Sequence, residues 1–377
     1  MSMKRIPFNR PYVTGDEVGL MSDAMARGHL SGDGHYTAEA SRLLREITGS
    51  ANVLLTTSCT HALEMSAFLL DVGPGDEIIM PSFTFVSTAN AMVLRGARPV
   101  FVDIRPDTLN IDERLVERAI TARTKAILVV HYAGVACEMD VIADIADRHG
   151  LVLVEDNAHG LGATFRATSL GTIGALATLS FHETKNVHCG EGGALLINDP
   201  TLMERAEILR EKGTNRSRFF RGQVDKYTWV DFGSSYLPSD ILMAFLTAQL
   251  RSFNDIQNRR MHVWSRYQRE LGDVASARNW QLPAVPSHLT QPAHLFWLLV
   301  ADLDERTRFL SHLDTSGVHA VFHYVPLHSS PMGCRFGEID LPVTSTAAER
   351  LVRLPLYPGL DDDDVDRVVA AVKSFPS

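Results

Sequence analysis

The chain has 377 residues, of which 45% are hydrophobic, and its formal net charge is -9. This length and apolar content allow a large buried core and exclude an intrinsically disordered protein, while the acidic balance argues against a general nucleic-acid binder. The four cysteines have no C-x-x-C spacing and are too sparse for a disulfide framework, which suits a reducing cytosol. Neither a signal segment nor an apolar run of membrane-span length is found, so we expect a cytoplasmic protein without membrane or nucleic-acid partners.

Short apolar runs alternate with helical patterns through the first half of the chain. The predicted strands are Val53–Thr56, Glu77–Met80, Pro99–Asp103, Ala126–His131, Leu151–Glu155, Ala177–Phe181 and Ala194–Ile197. The predicted helices around them are Val18–Ala26, Ala38–Ile47, His61–Leu70, Ser87–Arg95, Glu113–Ile120 and Val141–His149. This alternation indicates βα units and a mainly parallel seven-stranded sheet, an α/β fold whose functional groups collect at the carboxyl ends of the strands.

The pattern changes beyond Asp240, where apolar residues at helical spacing predict one long helix that ends near Leu271. The elements predicted after it are the strands His294–Ala301 and Val318–Tyr324 and the helices Glu305–Leu313, Ala347–Val352 and Val365–Ser374. We therefore expect a large domain at residues 1–250 and a smaller C-terminal α+β domain at residues 251–377.

Lys185 lies between two of the predicted strands, Ala177–Phe181 and Ala194–Ile197. A lysine held between buried strands is desolvated, and desolvation lowers its pKa toward the neutral, nucleophilic amine. Such an amine can hold an aldehyde cofactor as a Schiff base. The alternative is an ordinary solvated loop lysine.

Asp156 follows the apolar strand Leu151–Glu155. It could cap the next helix, or it could keep a proton on the nitrogen of a buried heterocyclic ring. Unit charges about 4 Å apart attract by roughly 4 kcal/mol at an effective dielectric constant of 20. That is about three pKa units, enough to keep a pyridine protonated, and an asparagine could not supply it. His159 could hydrogen-bond the same ring if the turn is helical.

A run of small polar residues between a strand and a helix offers an anion site. These residues are Thr57, Ser58, Cys59 and Thr60. Free backbone N–H groups at a helix N-terminus bind anions, although ordinary N-capping by Ser58 or Thr60 explains the same residues. Phe85 follows another strand and offers a flat ring for stacking, with a buried core aromatic as its alternative.

An anion site, an acid for a ring nitrogen, a stacking face and a Schiff-base lysine together match the needs of pyridoxal phosphate. Rival sites are incomplete in this sequence. His182-Glu183 begins an H-E-x-x-H zinc motif, but Asn186 stands where the second histidine belongs, so we expect no metal. The chain also lacks a phosphate-binding G-x-x-x-x-G-K-[ST] loop, a G-x-G-x-x-G fingerprint and a G-x-S-x-G elbow.

Several motifs, spread over nearly the whole chain, resemble one known family. They are Ser180-Phe-His-Glu-Thr-Lys185-Asn, Gly190-Glu-Gly-Gly193, Thr57-Ser-Cys-Thr60, Glu155-Asp-Asn-Ala-His159 and His323-Tyr-Val-Pro-Leu-His328. The chain resembles the DegT/DnrJ/EryC1/StrS sugar aminotransferases, which are fold-type I pyridoxal phosphate enzymes. The Arg210–Trp229 segment resembles the branch of that family that acts on dTDP-4-keto-6-deoxyglucose.

The resemblance implies a role for each matching residue. Lys185 would hold the cofactor as a Schiff base and move the proton, and Asp156 would pair with the pyridine nitrogen. His159 would lie near the phenolic oxygen of the ring, and Phe85 would stack on it. The phosphate would be bound by Ser180 and by the cradle of Thr57, Ser58, Cys59 and Thr60.

Two positions bear on the reaction type and on the partner subunit. Many relatives place an asparagine of the partner subunit on the phosphate, within a Gly-x-Asn segment, where this chain has Ser235. A serine is shorter than an asparagine, so a water could bridge it to the phosphate. The dehydratases of the family have histidine in place of Lys185, so the lysine implies transamination rather than deoxygenation.

The Arg210–Trp229 segment also holds the densest group of cations in the chain, interleaved with aromatic residues. The candidate substrate-binding residues in it are Arg216, Arg218, Arg221, Lys226 and Tyr227, next to Lys212. These side chains could form a solvated surface, or they could bind a nucleotide diphosphate across a dimer interface, as the family does. His328 is a candidate for the sugar end, ahead of His323.

The resemblance implies a homodimer that transfers an amino group from glutamate to C4 of a dTDP-4-keto-6-deoxyhexose. Pyridoxamine phosphate would carry the amino group between the two half-reactions. The alternatives are an aminotransferase for 3-keto nucleotide sugars and a protein that binds pyridoxal phosphate or a nucleotide sugar without turnover.

Overall fold

The computed structural model describes residues 5–376, and an extended sheet with helices on both faces dominates it. The strands are β1 (Val53–Thr56), β2 (Glu77–Pro81), β3 (Arg98–Val102), β4 (Thr124–Val130), β5 (Val152–Asp156), β6 (Thr164–Phe165), β7 (Thr168–Ser169), β8 (Leu176–Ser180), β9 (Gly193–Ile197), β10 (Leu289–Thr290), β11 (Phe296–Leu299) and β12 (Leu351–Leu354). The helices are α1 (Glu17–Ala26), α2 (His35–Thr48), α3 (Cys59–Leu69), α4 (Val86–Val93), α5 (Glu113–Val116), α6 (Met139–His149), α7 (Met203–Arg210), α8 (Arg216–Phe220), α9 (Asp240–Arg251), α10 (Phe253–Arg278), α11 (Leu303–Thr315), α12 (Pro342–Arg350) and α13 (Asp362–Lys373). Short 3₁₀ turns occur at Glu117–Ala119, Tyr132–Gly134, Pro200–Leu202 and Gly333–Phe336.

Within residues 5–376 the main sheet has seven strands in the order β1-β9-β8-β5-β4-β2-β3. Strand β9 runs antiparallel to both of its neighbours, and the other pairs are parallel. All seven strands were predicted within two residues of their observed ends, and the α/β fold with a mainly parallel sheet is confirmed. Strands β1, β2, β5 and β8 therefore end at one edge of the sheet.

The strands form because their side chains are apolar on both faces, as a sheet between two helix layers requires. Leu54 packs in one core cluster with Leu63 of α3, and the next residue, Leu55, packs in another with Leu44 of α2. Helices α2 and α9 cover one face, and α3 and α4 cover the other. This double cover fixes the sheet edge at which the polar residues gather.

A separate apolar cluster contains residues of α10, α11, α13, β11 and β12. It includes Tyr267, Phe296, Phe309 and Val368, and Ile6 from the N-terminal segment joins it. None of the helices in residues 5–376 is long and apolar enough to cross a membrane. The division into domains at residues 1–250 and 251–377 stays a prediction.

The single long helix predicted from Asp240 is wrong, because two helices meet at Ser252. Ser252 has φ -95° and ψ 13°, and its backbone N–H donates to the carbonyls of Ala248 and Gln249. Serine has only a modest helix propensity, so interrupting the helix at Ser252 has a small free-energy cost. The second helix then runs on to Arg278.

Two predictions in the C-terminal part are also wrong. Val318–Tyr324 forms only isolated bridges, from Val318 to Ile6 and from Val321 to Arg353, so it is an extended segment and not a strand. The helix predicted at Ala347–Val352 ends at Arg350, where β12 begins. A proline at 355 favours extended backbone in the residue before it, and β12 pairs with β11.

Candidate active site

A cavity of about 490 Å³ opens at the carboxyl edge of the main sheet. It collects the ends of β1, β2, β5 and β8, together with residues from the N-terminal segment and from the C-terminal part. The predicted site residues that line it are Ser58, Cys59, Thr60, Phe85, Asp156, His159, Ser180 and Lys185. The structure therefore brings most of the predicted cofactor residues into one place, as the rule for parallel sheets requires.

Lys185 lies in the loop between β8 and β9, and its backbone N–H donates to the carbonyl of His182 at 2.9 Å. Its side chain is half-buried and opens on the cavity. Burial lowers the pKa of Lys185 from 10.5 to about 8, although the nearby Cys59 and Asp156 act in the opposite direction. An amine with this pKa is a far better nucleophile at neutral pH than a surface lysine.

Asp156 ends β5 and is almost fully buried. Its Oδ2 accepts a hydrogen bond from Thr88 Oγ1 at 2.7 Å, and its Oδ1 accepts one from the backbone N–H of Ala158 at 3.2 Å. Residues 157–163, between Asp156 and β6, form turns and contain no helix, so the helix-capping alternative does not apply. Burial raises the pKa of Asp156, which makes the site ready for a cationic partner.

The preceding residue, Glu155, is fully buried and holds the end of β5 in place. It accepts hydrogen bonds from His131 Nε2 at 3.0 Å and from the backbone N–H groups of Gly171, Ile173 and Gly174 at 2.8, 2.8 and 2.6 Å. Although burial alone would raise the pKa of Glu155, these donors lower it overall. The network fixes the backbone on which Asp156 stands.

His159 lines the cavity and stacks on His294, with ring centroids 4.2 Å apart. Its Nδ1 is buried and has no hydrogen-bond partner, and burial lowers its pKa well below 6.5. His294 bonds through Nδ1 to Asn186 Oδ1 at 2.9 Å, and Asn186 donates to Gln257 Oε1 at 2.9 Å and Pro292 O at 2.6 Å. A neutral imidazole with an unpartnered nitrogen thus forms part of the cavity wall.

The polar run after β1 caps helix α3 and also lines the cavity. Ser58 Oγ accepts from the backbone N–H of His61 at 3.1 Å, and Thr60 Oγ1 bonds to Ser87 Oγ at 2.8 Å. Gly193 lies so close that a Cβ there would be 2.3 Å from the Ser58 carbonyl carbon. Capping and an exposed helix N-terminus therefore coexist, and the remaining free amides can meet an anion.

Thr57 and Phe85 differ in their relation to the cavity. Thr57 does not line it and instead hydrogen-bonds His61 through its hydroxyl. Phe85 is 58% exposed, whereas Phe83 nearby is 1% exposed and belongs to the core. The core-aromatic alternative therefore fails for Phe85, whose ring remains available for stacking.

The predicted substrate residues of the Arg210–Trp229 segment lie outside the cavity of their own chain. Arg216 approaches Glu211 at 3.4 Å, Arg218 approaches Glu204 at 3.0 Å, and Arg221 approaches Glu207 at 2.8 Å. Two other members of the segment, Lys226 and Tyr227, are exposed and also lie outside the cavity. Ser235, the candidate for contact with the cofactor phosphate of the partner subunit, lies outside it too.

The two candidate histidines differ in their relation to the cavity. His328 is buried, bonds to Ser82 Oγ at 2.7 Å and does not line the cavity. His323 lines it and bonds to the Tyr132 hydroxyl at 3.1 Å. His328 is held by this hydrogen bond, and its assignment to the sugar end stays a prediction.

Three further basic residues of the cavity were missed by sequence reasoning, namely Arg260, His294 and Arg353. His294 opens a predicted strand, and Arg353 interrupts the apolar run Leu351-Val-Arg-Leu354, so both departures from an apolar pattern were visible. Because these positions are far from Lys185 in sequence, their place in the same cavity could not be predicted.

These residues fit a phosphate-bearing aldehyde cofactor with a ring nitrogen. The cavity holds an amine of lowered pKa in Lys185, a buried carboxylate in Asp156 and an unpartnered imidazole nitrogen in His159. A helix N-terminus and an exposed aromatic ring complete the set.

Comparisons with known proteins identify the family of the chain. The model of the DegT/DnrJ/EryC1/StrS aminotransferase family matches residues 11–373. An uncharacterized protein of Methanocaldococcus jannaschii is 34% identical over 384 residues, covering 99% of this chain and 98% of that protein. The aminotransferase TlmJ from Streptoalloteichus hindustanus has a TM-score of 0.90 and 31% identity, with 98% of each chain covered.

Two other solved structures bear on the cofactor. DesV from S. venezuelae, in complex with a ketimine intermediate, has a TM-score of 0.89 and 30% identity over 98% of each chain. A putative sugar aminotransferase from Streptococcus pneumoniae in its PLP form has a TM-score of 0.90 and 28% identity over 98% of each chain, and a PMP form of it is also known. The chain belongs to the DegT/DnrJ/EryC1/StrS family and is a sugar aminotransferase that depends on pyridoxal phosphate.

Proposed function

We propose that this aminotransferase moves an amino group from glutamate to C4 of a dTDP-4-keto-6-deoxyhexose, giving a dTDP-4-amino-4,6-dideoxyhexose. The observation that carries the amino transfer is the half-buried Lys185, with its pKa near 8, in one cavity with Asp156. The choice of sugar rests on the Arg210–Trp229 segment, which resembles the branch that includes dTDP-4-amino-4,6-dideoxygalactose transaminase.

Lys185 is the proposed covalent attachment point and proton carrier. When bound, the cofactor supplies an electron sink that makes the α-proton of the amino donor acidic. The Lys185 amine, once free, would accept that proton and pass it on, as the 1,3-proton transfer of transamination requires. Its pKa of about 8 suits both directions near neutral pH.

Asp156 is proposed to pair with the pyridine nitrogen. Burial raises the pKa of Asp156, and a cationic ring beside it would lower that pKa again and keep the carboxylate ionised. Because Thr88 and Ala158 hold the two carboxylate oxygens, the carboxylate has a fixed orientation before the cofactor binds. A fixed negative charge stabilises the protonated ring better than a mobile one.

His159 and Phe85 are proposed to position the ring. The free Nδ1 of His159 can donate or accept one hydrogen bond, which suits the phenolic oxygen of the cofactor. Phe85, which is exposed, would stack on a face of the cofactor ring. The phosphate would bind Ser180 and the free amides of Ser58, Cys59 and Thr60, with Thr57 supporting the turn through His61.

We also propose a homodimer in which a second copy completes each site. The Arg210–Trp229 segment exposes Phe220, Tyr227 and Trp229 by 69%, 53% and 78%. These rings and the cations beside them would meet the nucleotide in the cavity of the partner subunit. Ser235 would reach the cofactor phosphate in that same cavity through a water. Arg216, Arg218 and Arg221 would bind the diphosphate by exchanging their present carboxylate partners for it.

The test is incubation with dTDP-4-keto-6-deoxyglucose and glutamate, followed by NMR of the product. An amino group at C4 is the expected result, and the coupling constants will assign the galacto or gluco configuration. No product from this substrate, with amination of a 3-keto nucleotide sugar instead, would favour the 3-keto alternative. Bound cofactor that glutamate never bleaches would instead indicate a binding protein.

A further inference from the structure

A short chain of hydroxyl groups leads from the loop after β2 to the carboxylate of Asp156. Thr84 Oγ1 lies 2.8 Å from Thr88 Oγ1, and Thr88 Oγ1 lies 2.7 Å from Asp156 Oδ2. Thr84, Thr88 and Asp156 are 2%, 0% and 5% exposed, and all three line the cavity. The chain is therefore part of the cavity wall, and it ends on the carboxylate that would pair with the ring nitrogen.

The hydroxyl of Thr88 is available to this carboxylate because of its place in α4. A threonine inside a helix commonly donates to the carbonyl four residues earlier, as Thr247 does to Met243 at 2.8 Å. Thr88 lies in the first turn of α4, so residue 84 precedes the helix and offers no helical carbonyl. The Thr88 hydroxyl instead donates to Asp156 at the end of β5, at the short distance typical of a bond to a charged oxygen.

The direction of the chain follows from the number of protons in it. A threonine hydroxyl has one proton to donate, and an ionised carboxylate only accepts. The proton of Thr88 is therefore given to Asp156, and Thr84 must donate to Thr88. A hydroxyl that accepts one hydrogen bond donates more strongly in the next, so Thr84 strengthens the bond between Thr88 and the carboxylate.

A proton shared between Asp156 and a ring nitrogen has two places to rest. It can stay on the nitrogen, which leaves a pyridinium beside a carboxylate. Alternatively the N–H bond breaks while an O–H bond forms, which leaves a neutral ring beside a carboxylic acid. Burial favours the second arrangement because it raises the pKa of Asp156, and the hydrogen bond from Thr88 is the largest influence that lowers this pKa.

We propose that Thr84 and Thr88 are positioning residues that keep this proton on the ring nitrogen by stabilising Asp156 as a carboxylate. The inference rests on the proposed pairing of Asp156 with the cofactor. Phe85, the proposed stacking residue, lies between the two threonines in sequence, so one short segment would both cover the ring and set its charge. A protonated ring is the stronger electron sink, which connects the two hydroxyls to the rate of proton removal from the amino donor.

The test is nitrogen NMR of the protein loaded with pyridoxal phosphate that carries 15N in its ring, without amino donor or sugar. Neutral and protonated pyridine nitrogens resonate at well-separated positions, and a partial transfer of the proton gives a position between them. Thr88→Val keeps the shape of the side chain and removes the hydroxyl, so the resonance should move toward that of the neutral ring. Losing a hydrogen bond to a charged group corresponds to about a ten- to hundredfold change in the proton equilibrium.

Two further variants grade the effect. Thr88→Ser keeps the hydroxyl and should keep the wild-type resonance. Thr84→Val removes only the supporting bond, so the resonance should move in the same direction by less, for about a two- to fourfold change in the equilibrium. The rate with saturating glutamate should fall in the same order. The glutamate concentration for half-saturation should change little, because the hydroxyls act on the ring and not on the amino donor.

Thr247→Val is the matched control. Thr247 is also a fully buried helical threonine, but it does not line the cavity, so this variant should leave the nitrogen resonance unchanged. Asp156→Asn gives the reference for a ring without its carboxylate, and its resonance should lie nearest to that of the neutral ring.

Three results would overturn the proposal. A resonance that moves in Asp156→Asn and stays in Thr88→Val would remove the role of Thr88 alone, and a Thr88→Ser variant that behaves like Thr88→Val would do the same. A resonance that stays in both Asp156→Asn and Thr88→Val would remove the pairing with Asp156, and the role of the hydroxyls with it. Because the sample contains no sugar, failure of the proposed dTDP-sugar substrate would leave a positive result for Thr88 standing.

Discussion

The cavity and the Arg210–Trp229 segment both contain cations and aromatic rings, but their surroundings differ. In the cavity, burial moves the pKa of Lys185 down to about 8 and that of Asp156 upward. In the segment, Arg218 and Arg221 form ion pairs with carboxylates of their own chain at the surface. Burial therefore changes the chemistry of a side chain, whereas exposure preserves its ordinary charge.

This difference in burial suggests different roles, with the reaction in the cavity and substrate recognition in the Arg210–Trp229 segment. Exposed ion pairs contribute about 0–1 kcal/mol each, so a diphosphate can displace Glu204 from Arg218 at little cost. The carboxylate of Asp156 has fixed hydrogen bonds and cannot be exchanged so easily. Changes in the cavity should therefore affect the rate of both half-reactions, and changes in the segment should affect sugar binding alone.

The largest effect is expected for Lys185→Ala. Without the amine there is no covalent attachment, and the loss of a positioned proton carrier should lower transamination by at least about a thousandfold. Mass spectrometry after borohydride reduction should find no cofactor on the variant. The control is Lys125→Ala, a lysine that pairs with Asp76 at 3.2 Å and lies outside the cavity. A reduced cofactor adduct on Lys185→Ala would contradict the assignment.

Asp156→Asn should keep bound cofactor and lower transamination by about a hundredfold to a thousandfold. The reason is the loss of the charge that holds a proton on the ring nitrogen, worth about three pKa units. Absorbance titration with pyridoxal phosphate and single-turnover rates with glutamate measure the two parts. Asp103→Asn is the matched control, because Asp103 is also buried and accepts from Thr344 N at 2.8 Å. Near-normal rates in Asp156→Asn would remove the ring-nitrogen role.

The sheet could be predicted because each of its strands is a short apolar run bounded by a clear change in pattern. The break at Ser252 could not, since the apolar spacing continues from α9 into α10 and only the backbone angles reveal it. The segment at Val318–Tyr324 has strand-like composition but no neighbour with which to form a ladder. Propensity is local, and pairing depends on the whole fold.

The position of Lys185 and Asp156 at the sheet edge could be predicted for the same reason as the strands, because Asp156 ends one strand and Lys185 follows another. Arg353 and His294 could not, since each reaches the cavity from a part of the chain whose position depends on tertiary packing. The contacts of His323 and His328 could not be predicted either, because sequence alone does not indicate which of the two bonds to Ser82.

A smaller effect is expected for Arg221→Gln in the Arg210–Trp229 segment. If Arg221 meets the diphosphate, KM for the nucleotide sugar should rise about tenfold, in line with one charged hydrogen-bond pair. The rate with glutamate alone should not change, because the half-reaction with glutamate involves no nucleotide diphosphate. Steady-state kinetics and half-reaction rates separate the two.

Arg148→Gln is the control for Arg221→Gln, since Arg148 is an exposed arginine that pairs with Glu117 and Asp144 elsewhere on the surface. Equal changes in both variants would mean that the effect comes from net charge. A loss of the glutamate half-reaction in Arg221→Gln would contradict the proposal that the segment affects sugar binding alone.

The smallest effect concerns pH and reports directly on the burial of Lys185. Because its pKa is about 8, the neutral fraction of the amine should rise about fivefold from pH 7 to pH 8 and level off above pH 9. The rate of pyridoxal phosphate uptake by the cofactor-free protein should follow this curve, whereas Nα-acetyllysine in solution should keep accelerating to pH 10. Asp156 raises the pKa of Lys185 and Arg353 lowers it. Asp156→Asn should therefore move the plateau to lower pH and Arg353→Gln to higher pH, and a shift of both in one direction would show that these charges do not act on the amine.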